Sequence, residues 1–261
     1  MKIKLYQVDA FTHTLFGGNP AAVCVLEEWL PEVTMQHIAA ENNLAETAFV
    51  VPDGDGYKIR WFTPTLEVDL CGHATLASAH VLFNYYGHPS AVLRFHSPRS
   101  GVLTVENKGY ALTLDFPVDE VQPVEVPAAL VQAFGAAPQE AYRGKTDYLL
   151  LYSTQAEIAA MQPDLKAVAS VGGRGVIVSA PGDEADFVSR FFAPQAGIDE
   201  DPVTGSAHTT LAPIWSLKLG KTVLSALQLS KRGGELRCEM AGDRVKISGK
   251  AVTYLIGEIE V

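Results

Sequence analysis

Arg60-Trp61-Phe62-Thr63-Pro64 returns 130 residues later as Arg190-Phe191-Phe192-Ala193-Pro194. Ser97-Pro98-Arg99-Ser100-Gly101-Val102-Leu103-Thr104-Val105-Glu106 returns 133 residues later as Ser230-Lys231-Arg232-Gly233-Gly234-Glu235-Leu236-Arg237-Cys238-Glu239. Three of five and five of ten positions are identical, where chance gives roughly one in fifteen at ordinary composition. A chain of 261 residues thus carries one unit of about half its length twice. Length alone allows one or two domains; the duplication decides for two similar lobes, 1–117 and 118–261, with the last strand able to return to the first lobe. A ligand crevice between lobes is the natural expectation.

Around the repeat the chain alternates as many short strands and few helices. The first half reads as strands at Ile3 to Val8, Ala21 to Leu26, Ala48 to Val51, Tyr57 to Phe62, Val92 to Phe95, Val102 to Glu106 and Tyr110 to Phe116. The second half repeats the scheme from Tyr148 to Val261, and Pro117 to Pro127 reads as the linker. One helix per half, Ala74 to Tyr86 and Ser206 to Leu219, is apolar on nearly every side and closes on a glycine, so each must be enclosed. The expected fold is α+β: two pseudo-symmetric lobes, each a curved, mostly antiparallel sheet or barrel around a central helix. Shorter helices at Val33 to Asn42, Gln155 to Met161 and Leu165 to Ser170 belong outside.

Composition removes several function classes. Net charge is −10 with no basic block, so a phosphate backbone would be repelled and nucleic acid is not expected. No apolar run is long enough for a membrane helix, and the first residues lack a leader's apolar stretch, so the expected compartment is the cytoplasm. The three cysteines, Cys24, Cys71 and Cys238, are odd in number and far apart, which fits reduced thiols rather than a disulfide framework. There is no dinucleotide or phosphate-binding glycine loop, no nucleophile elbow and no cysteine pairing at metal spacing. No cofactor and no metal are expected. His80 reads as a satisfied core histidine, and His208 is open between a structural place and the site.

The chemistry is expected at the loops that open the two enclosed helices, Glu67 to Thr75 and Asp199 to His208. Both run from the repeated Arg-aromatic-Phe-x-Pro strand through an acidic residue to Gly72-His73-Ala74 or Gly205-Ser206-Ala207. Free amides and the helix dipole make such a start an anion site, and glycine admits the ligand to the backbone. Capping is the plainer reading: Asp69 for the first helix, Thr204 and Asp201 for the second. It is favoured for Asp69 and explains less about His73, Asp201 and Ser206.

Gly18-Asn19-Pro20-Ala21, Ala45-Glu46-Thr47-Ala48-Phe49, Phe62-Thr63-Pro64, Cys71-Gly72-His73-Ala74-Thr75 and Asp201-Pro202-Val203-Thr204-Gly205-Ser206-Ala207 resemble the PhzF family of phenazine-biosynthesis isomerases, and the likeness covers essentially the whole chain. The resemblance implies a diaminopimelate-epimerase-like fold and a cofactor-independent isomerase acting on a small carboxylated, unsaturated substrate, and it suggests a homodimer, for which the edge strand Thr253 to Val261 offers a surface. It places the acid/base glutamate on Glu46, with His73, Asp201 and Ser206 as the other catalytic positions. Asn19, Gly72, Ala74, Thr204 and Gly205 are expected to hold the substrate.

Two alternatives stay open. A two-thiol racemase needs a cysteine in each loop, and the second loop has none, which leaves Cys71 as a packed residue or a thiol of unusual reactivity. A non-catalytic acid-binding protein would use the same crevice. The half-to-half register sets Glu46 opposite Arg174-Gly175, so the second lobe offers no matching carboxylate. One acid suits a single proton shuttle.

Overall fold

The computed structural model describes residues 1–261 and divides into two compact units, Met1–Asp115 with Ser248–Val261, and Phe116–Ile247. The first unit contains, in chain order, β1 (Lys2–Ala10), β2 (Asn19–Val25), α1 (Glu32–Asn42), β3 (Glu46–Asp53), β4 (Gly56–Phe62), β5 (Glu67–Val68), α2 (Gly72–Tyr85), β6 (Val92–Ser97), β7 (Gly101–Asn107) and β8 (Leu112–Pro117), whose last two residues fall in the second unit. The second continues with β9 (Gln122–Pro123), α3 (Ala128–Phe134), β10 (Glu140–Arg143), β11 (Asp147–Leu151), α4 (Gln155–Ala160), α5 (Leu165–Ser170), β12 (Gly175–Pro181), β13 (Phe187–Phe192), α6 (Ala207–Leu219), β14 (Val223–Gln228), β15 (Gly234–Ala241) and β16 (Arg244–Gly249). The final strand, β17 (Ala251–Glu260), pairs antiparallel with β1 from Lys2↔Glu260 to Ala10↔Ala251, and that ladder draws 248–261 out of the expected second lobe.

The duplicated sequence produces duplicated topology. In the first unit β1 runs antiparallel to β2, β2 runs parallel to β3 across α1, and β3 turns back antiparallel into β4. In the second, β10, β11, β12 and β13 repeat those three relations across α4 and α5. Each unit therefore contains a parallel crossover inside a mostly antiparallel sheet, because a helix inserted between two strands returns the chain to the same edge. α3 and β10 occupy a stretch between the expected linker and Tyr148 for which the sequence predicts no element.

The enclosed helices are where their composition places them. In α2, the run Ala74–Ala79 with Val81 and Leu82 is buried, packed against β1, β2 and β3. In α6, Leu211, Ala212 and Trp215 are buried, and Trp215 stacks on Phe187 with ring centroids 5.8 Å apart while donating to Ser179 Oγ at 2.9 Å. Pro213 lies inside α6 and has no N–H for the carbonyl of Thr209. That carbonyl instead accepts the Asp119 N–H at 3.2 Å, so a linker amide fills the gap the proline leaves. No helix is long and apolar enough to cross a membrane.

Candidate active site

Glu46 opens β3, opposite Ala21 on β2, and Asn19 opens β2 itself. The turn that delivers Asn19 needs Gly18. Its φ is +61°, and a Cβ there would stand 2.1 Å from the carbonyl oxygen of Ala10, a clash that no side-chain motion relieves. His73 is the second residue of α2, and the N-cap Cys71 makes no side-chain hydrogen bond to the helix start. The capping expectation for Asp69 is therefore corrected. Its carboxylate is exposed and pairs with Arg99 at 2.8 Å, because the loop carries it outward before the helix begins.

These elements bring four side chains of the first unit together. His73 Nε2 lies 3.2 Å from Glu46 Oε2, Asn19 Nδ2 lies 3.2 Å from His73 Nδ1, and Cys71 Sγ lies 3.5 Å from the same nitrogen. Glu46 is 8% exposed and His73 5%. The Glu46–His73 approach is close without the alignment of a hydrogen bond, and neither facing atom finds another partner. Burial alone would lower the His73 pKa, but Cys71 and Glu46 carry it well above the usual imidazole value. Burial also pushes the Cys71 thiol up to about 11, leaving it uncharged at neutral pH. The carboxylate of Glu46 is then the charge that favours imidazolium.

The second unit builds its loop differently. Asp201 Oδ2 accepts the Thr204 hydroxyl at 2.5 Å, and Gln228, buried at the end of β14, both accepts from Thr204 N at 2.8 Å and donates to the Asp201 carbonyl at 2.8 Å. Thr204 is thus clamped to the loop rather than capping α6, whose N-cap is Ser206 without a side-chain bond. Ser206 Oγ accepts from Arg174 Nη1 at 3.0 Å, and Arg174 forks onto the buried Asp147, with Nε to Oδ1 at 3.0 Å and Nη2 to Oδ2. As Glu46 meets His73 in the first unit, so Arg174 meets Ser206 in the second. The start of the crossover strand thus carries opposite charge in the two halves, with Glu46 the first residue of β3 and Arg174 the residue just before β12.

The repeated arginines serve structure. Arg60 forks onto Glu67 at 2.6 and 2.7 Å and lies over Phe62, while Arg190 forks onto Glu200 at 2.6 and 2.9 Å and lies over Phe192. Each bidentate pair ties the strand to the loop that follows it, which accounts for the identity of the motif. Of the three adjoining acids, Glu200 belongs to this clamp, Asp201 to the Thr204 loop, and Asp199 is exposed. Gln228 and Asp147 escaped the sequence reading, since a lone polar residue in a strand carries no local signal of what it will meet.

His208 is fully buried beside Phe187, with Nδ1 donating to the Thr204 carbonyl at 2.9 Å, and burial holds its pKa down to about 4. Its place is structural. The unfolded chain titrates near the ordinary 6.5 and so binds a proton first as pH falls. Stability from this site is complete above pH 6.5 and is lost towards pH 4, by roughly 3 kcal/mol in total. In denaturant titrations at pH 7 and pH 4.5, His208→Asn, which can still donate to Thr204, is expected to lose about 2 kcal/mol less than the parent. Equal losses would show that His208 is not a buried neutral base.

The phenazine biosynthesis-like PhzC-PhzF family matches over residues 8–257. This chain belongs to that family. It is 51% identical over 262 residues to an uncharacterized isomerase of Pseudomonas aeruginosa and 49% identical to a second over 261, each match covering all of both chains. A crystal structure of a PhzF-family protein from Enterococcus faecalis superposes with a TM-score of 0.97 at 48% identity, covering all of both chains. A hydroxyproline epimerase from Agrobacterium vitis, at a TM-score of 0.61 and 12% identity, shares the fold, covering 99% of this chain and 92% of its own. The PhzF-type member thus has the two-unit α+β fold of epimerases and racemases, and its curated bacterial relatives carry the name isomerase.

Proposed function

We propose that this family member is an isomerase that shifts a proton along a small, unsaturated, carboxylated substrate, with Glu46 as the group that takes the proton from one carbon and returns it to another. The observation that carries the reading is the buried Glu46–His73 pair at 3.2 Å. Glu46 is placed beside the ring to take and return a proton, and the favoured imidazolium of His73 stabilises negative charge that builds on the substrate. In the imidazolium, the Nε2 proton faces Glu46 and the Nδ1 proton faces the Asn19 amide, whose oxygen can accept it. The amides of Gly72, His73 and Ala74 open an enclosed helix whose N-cap offers them no side chain, which suits them to a carboxylate oxygen.

Ser206 has a narrower role in the proposal. Its oxygen already accepts from Arg174, so its O–H is left to donate to a substrate oxygen, with Thr204 and Gly205 alongside. Asp201 is assigned as the further acid of the reaction, oriented by the Thr204 hydroxyl. The two-thiol epimerase reading is disfavoured because Cys71 is an uncharged buried thiol and the equivalent loop presents serine. The catalytic and the purely binding readings part in heavy water. A panel of small unsaturated amino and hydroxy acids is expected to include a compound into which the parent chain incorporates deuterium and Glu46→Gln does not, though the variant still binds it. Equal incorporation by both chains would overturn the proposal.

A further inference from the structure

We propose that Glu46, Cys71 and His73 form a binding site for a soft divalent cation of the zinc class, with the cation acting as an inhibitor rather than a resident cofactor. The carboxylate, thiol and imidazole place one ligand atom each within 4.8 Å of one another, and all three side chains are buried. Carboxylate oxygen, thiolate sulfur and imidazole nitrogen are the donor types zinc takes, and three protein ligands leave its fourth position open. At zinc–ligand distances of about 2.0 to 2.3 Å a tetrahedral site needs ligand atoms about 3.3 to 3.6 Å apart. The 3.2 Å from Glu46 to the ring and the 3.5 Å from Cys71 to the ring are close to those edges.

The two distances are measured to different ring nitrogens. An ion taking Nε2, the nitrogen that faces Glu46, needs the Cys71 sulfur to turn from the Nδ1 side towards it, a rotation about the Cα–Cβ bond of Cys71. Glu46 Oε2 and His73 Nε2, which lack an aligned partner in the chain, gain one. Binding releases two protons to solvent, one from the Cys71 thiol and one from the His73 imidazolium, so affinity for the cation rises with pH. The site is invisible to spacing rules because Cys71 and His73 are two residues apart at a helix start while Glu46 arrives from another strand.

The inhibitory half of the proposal rests on Glu46 being the proton-transfer group, since a coordinated carboxylate cannot accept a proton. The test separates the two ideas. The full chain, freed of metal with chelator, is titrated with cobalt(II) as a spectroscopic probe and then with zinc. One equivalent of cobalt is expected to bind with a thiolate charge-transfer band in the near ultraviolet, which zinc then abolishes. Cys71→Ser should delete the band, Cys24→Ala should keep it, and Glu46→Gln and His73→Asn should each weaken zinc binding at least about tenfold, the loss that even an outer-shell change brings. Thermal melts of each variant confirm folding.

No band in the parent, or a band that survives in folded Cys71→Ser, overturns the site. With a substrate from the exchange screen, one equivalent of zinc should stop deuterium incorporation and chelator should restore it. Zinc bound at the three residues with exchange undiminished would leave the cation site standing, and would remove its inhibitory role together with proton transfer by Glu46.

Discussion

Glu46→Gln is expected to slow solvent-deuterium exchange into the substrate by about two to four orders of magnitude, the range that a positioned acid/base contributes. Glutamine has the shape of glutamate and keeps an oxygen and a nitrogen at the same reach, so the buried setting behind His73 survives. It cannot accept a proton. The loss should therefore fall on kcat, with KM changed little, because the groups that hold the substrate are untouched. Stability should fall, since the buried His73 ring loses the carboxylate that favours its charged form, and a thermal melt separates that loss from the loss of rate. Glu46→Asp retains the acid and retracts it by one methylene, so its rate should lie between the two. If Glu46→Gln exchanged at the parental rate, the proton would have to travel through another group, and the Glu46–His73 pair would be a structural contact. His73→Asn is the companion measurement. With imidazolium favoured by Glu46, loss of the ring should flatten the alkaline limb of the rate profile as well as reduce the rate.

Much of this arrangement is written in the sequence, for an identifiable reason. The Arg60–Glu67 and Arg190–Glu200 clamps are needed in both halves, so the duplication persists as readable identity at those positions. The enclosed helices are legible because burial on every side forces an apolar composition, as α2 shows. The Glu46 and His73 positions follow from the family resemblance. The structure contributes what the resemblance leaves out, their mutual distance and the adjacent Cys71. What was hidden depends on partners far along the chain. Gln228 becomes the clamp of the Asp201–Thr204 loop only when β14 arrives beside it, 24 residues after Thr204. Asp69 looked like a cap because it precedes a helix by a short step, yet Arg99 offers it a pair in solvent. A local rule cannot weigh that competitor. Even so, the offset register that set Glu46 against Arg174 pointed to something real, since the two residues hold comparable places beside His73 and Ser206 with opposite charge.

Arg174→Met is expected to be the more damaging half of a mutational pair, costing about 3 to 5 kcal/mol in denaturant unfolding, the penalty for stripping a buried charge of its partner. The asymmetry follows from exposure. The Asp147 side chain is 2% exposed and that of Arg174 is 37%, so removing the guanidinium strands a carboxylate away from water. Asp147→Leu leaves a cation that can turn towards solvent, and surface charges cost little when they lose a partner, so about 1 to 2 kcal/mol is expected there. The double variant Arg174→Met with Asp147→Leu should recover most of the loss, because a buried ion pair replaced by apolar groups of similar volume is often neutral in stability. A double-variant cycle measures this directly. Additive losses in the cycle would mean that the pair is not coupled as the geometry requires. Recovery of stability should leave one defect in place: Ser206 Oγ would no longer receive the Arg174 hydrogen bond, and its hydroxyl would be free to rotate. If Ser206 donates to the substrate, the stable double variant should show a raised KM, whereas a guanidinium that serves folding alone predicts parental kinetics.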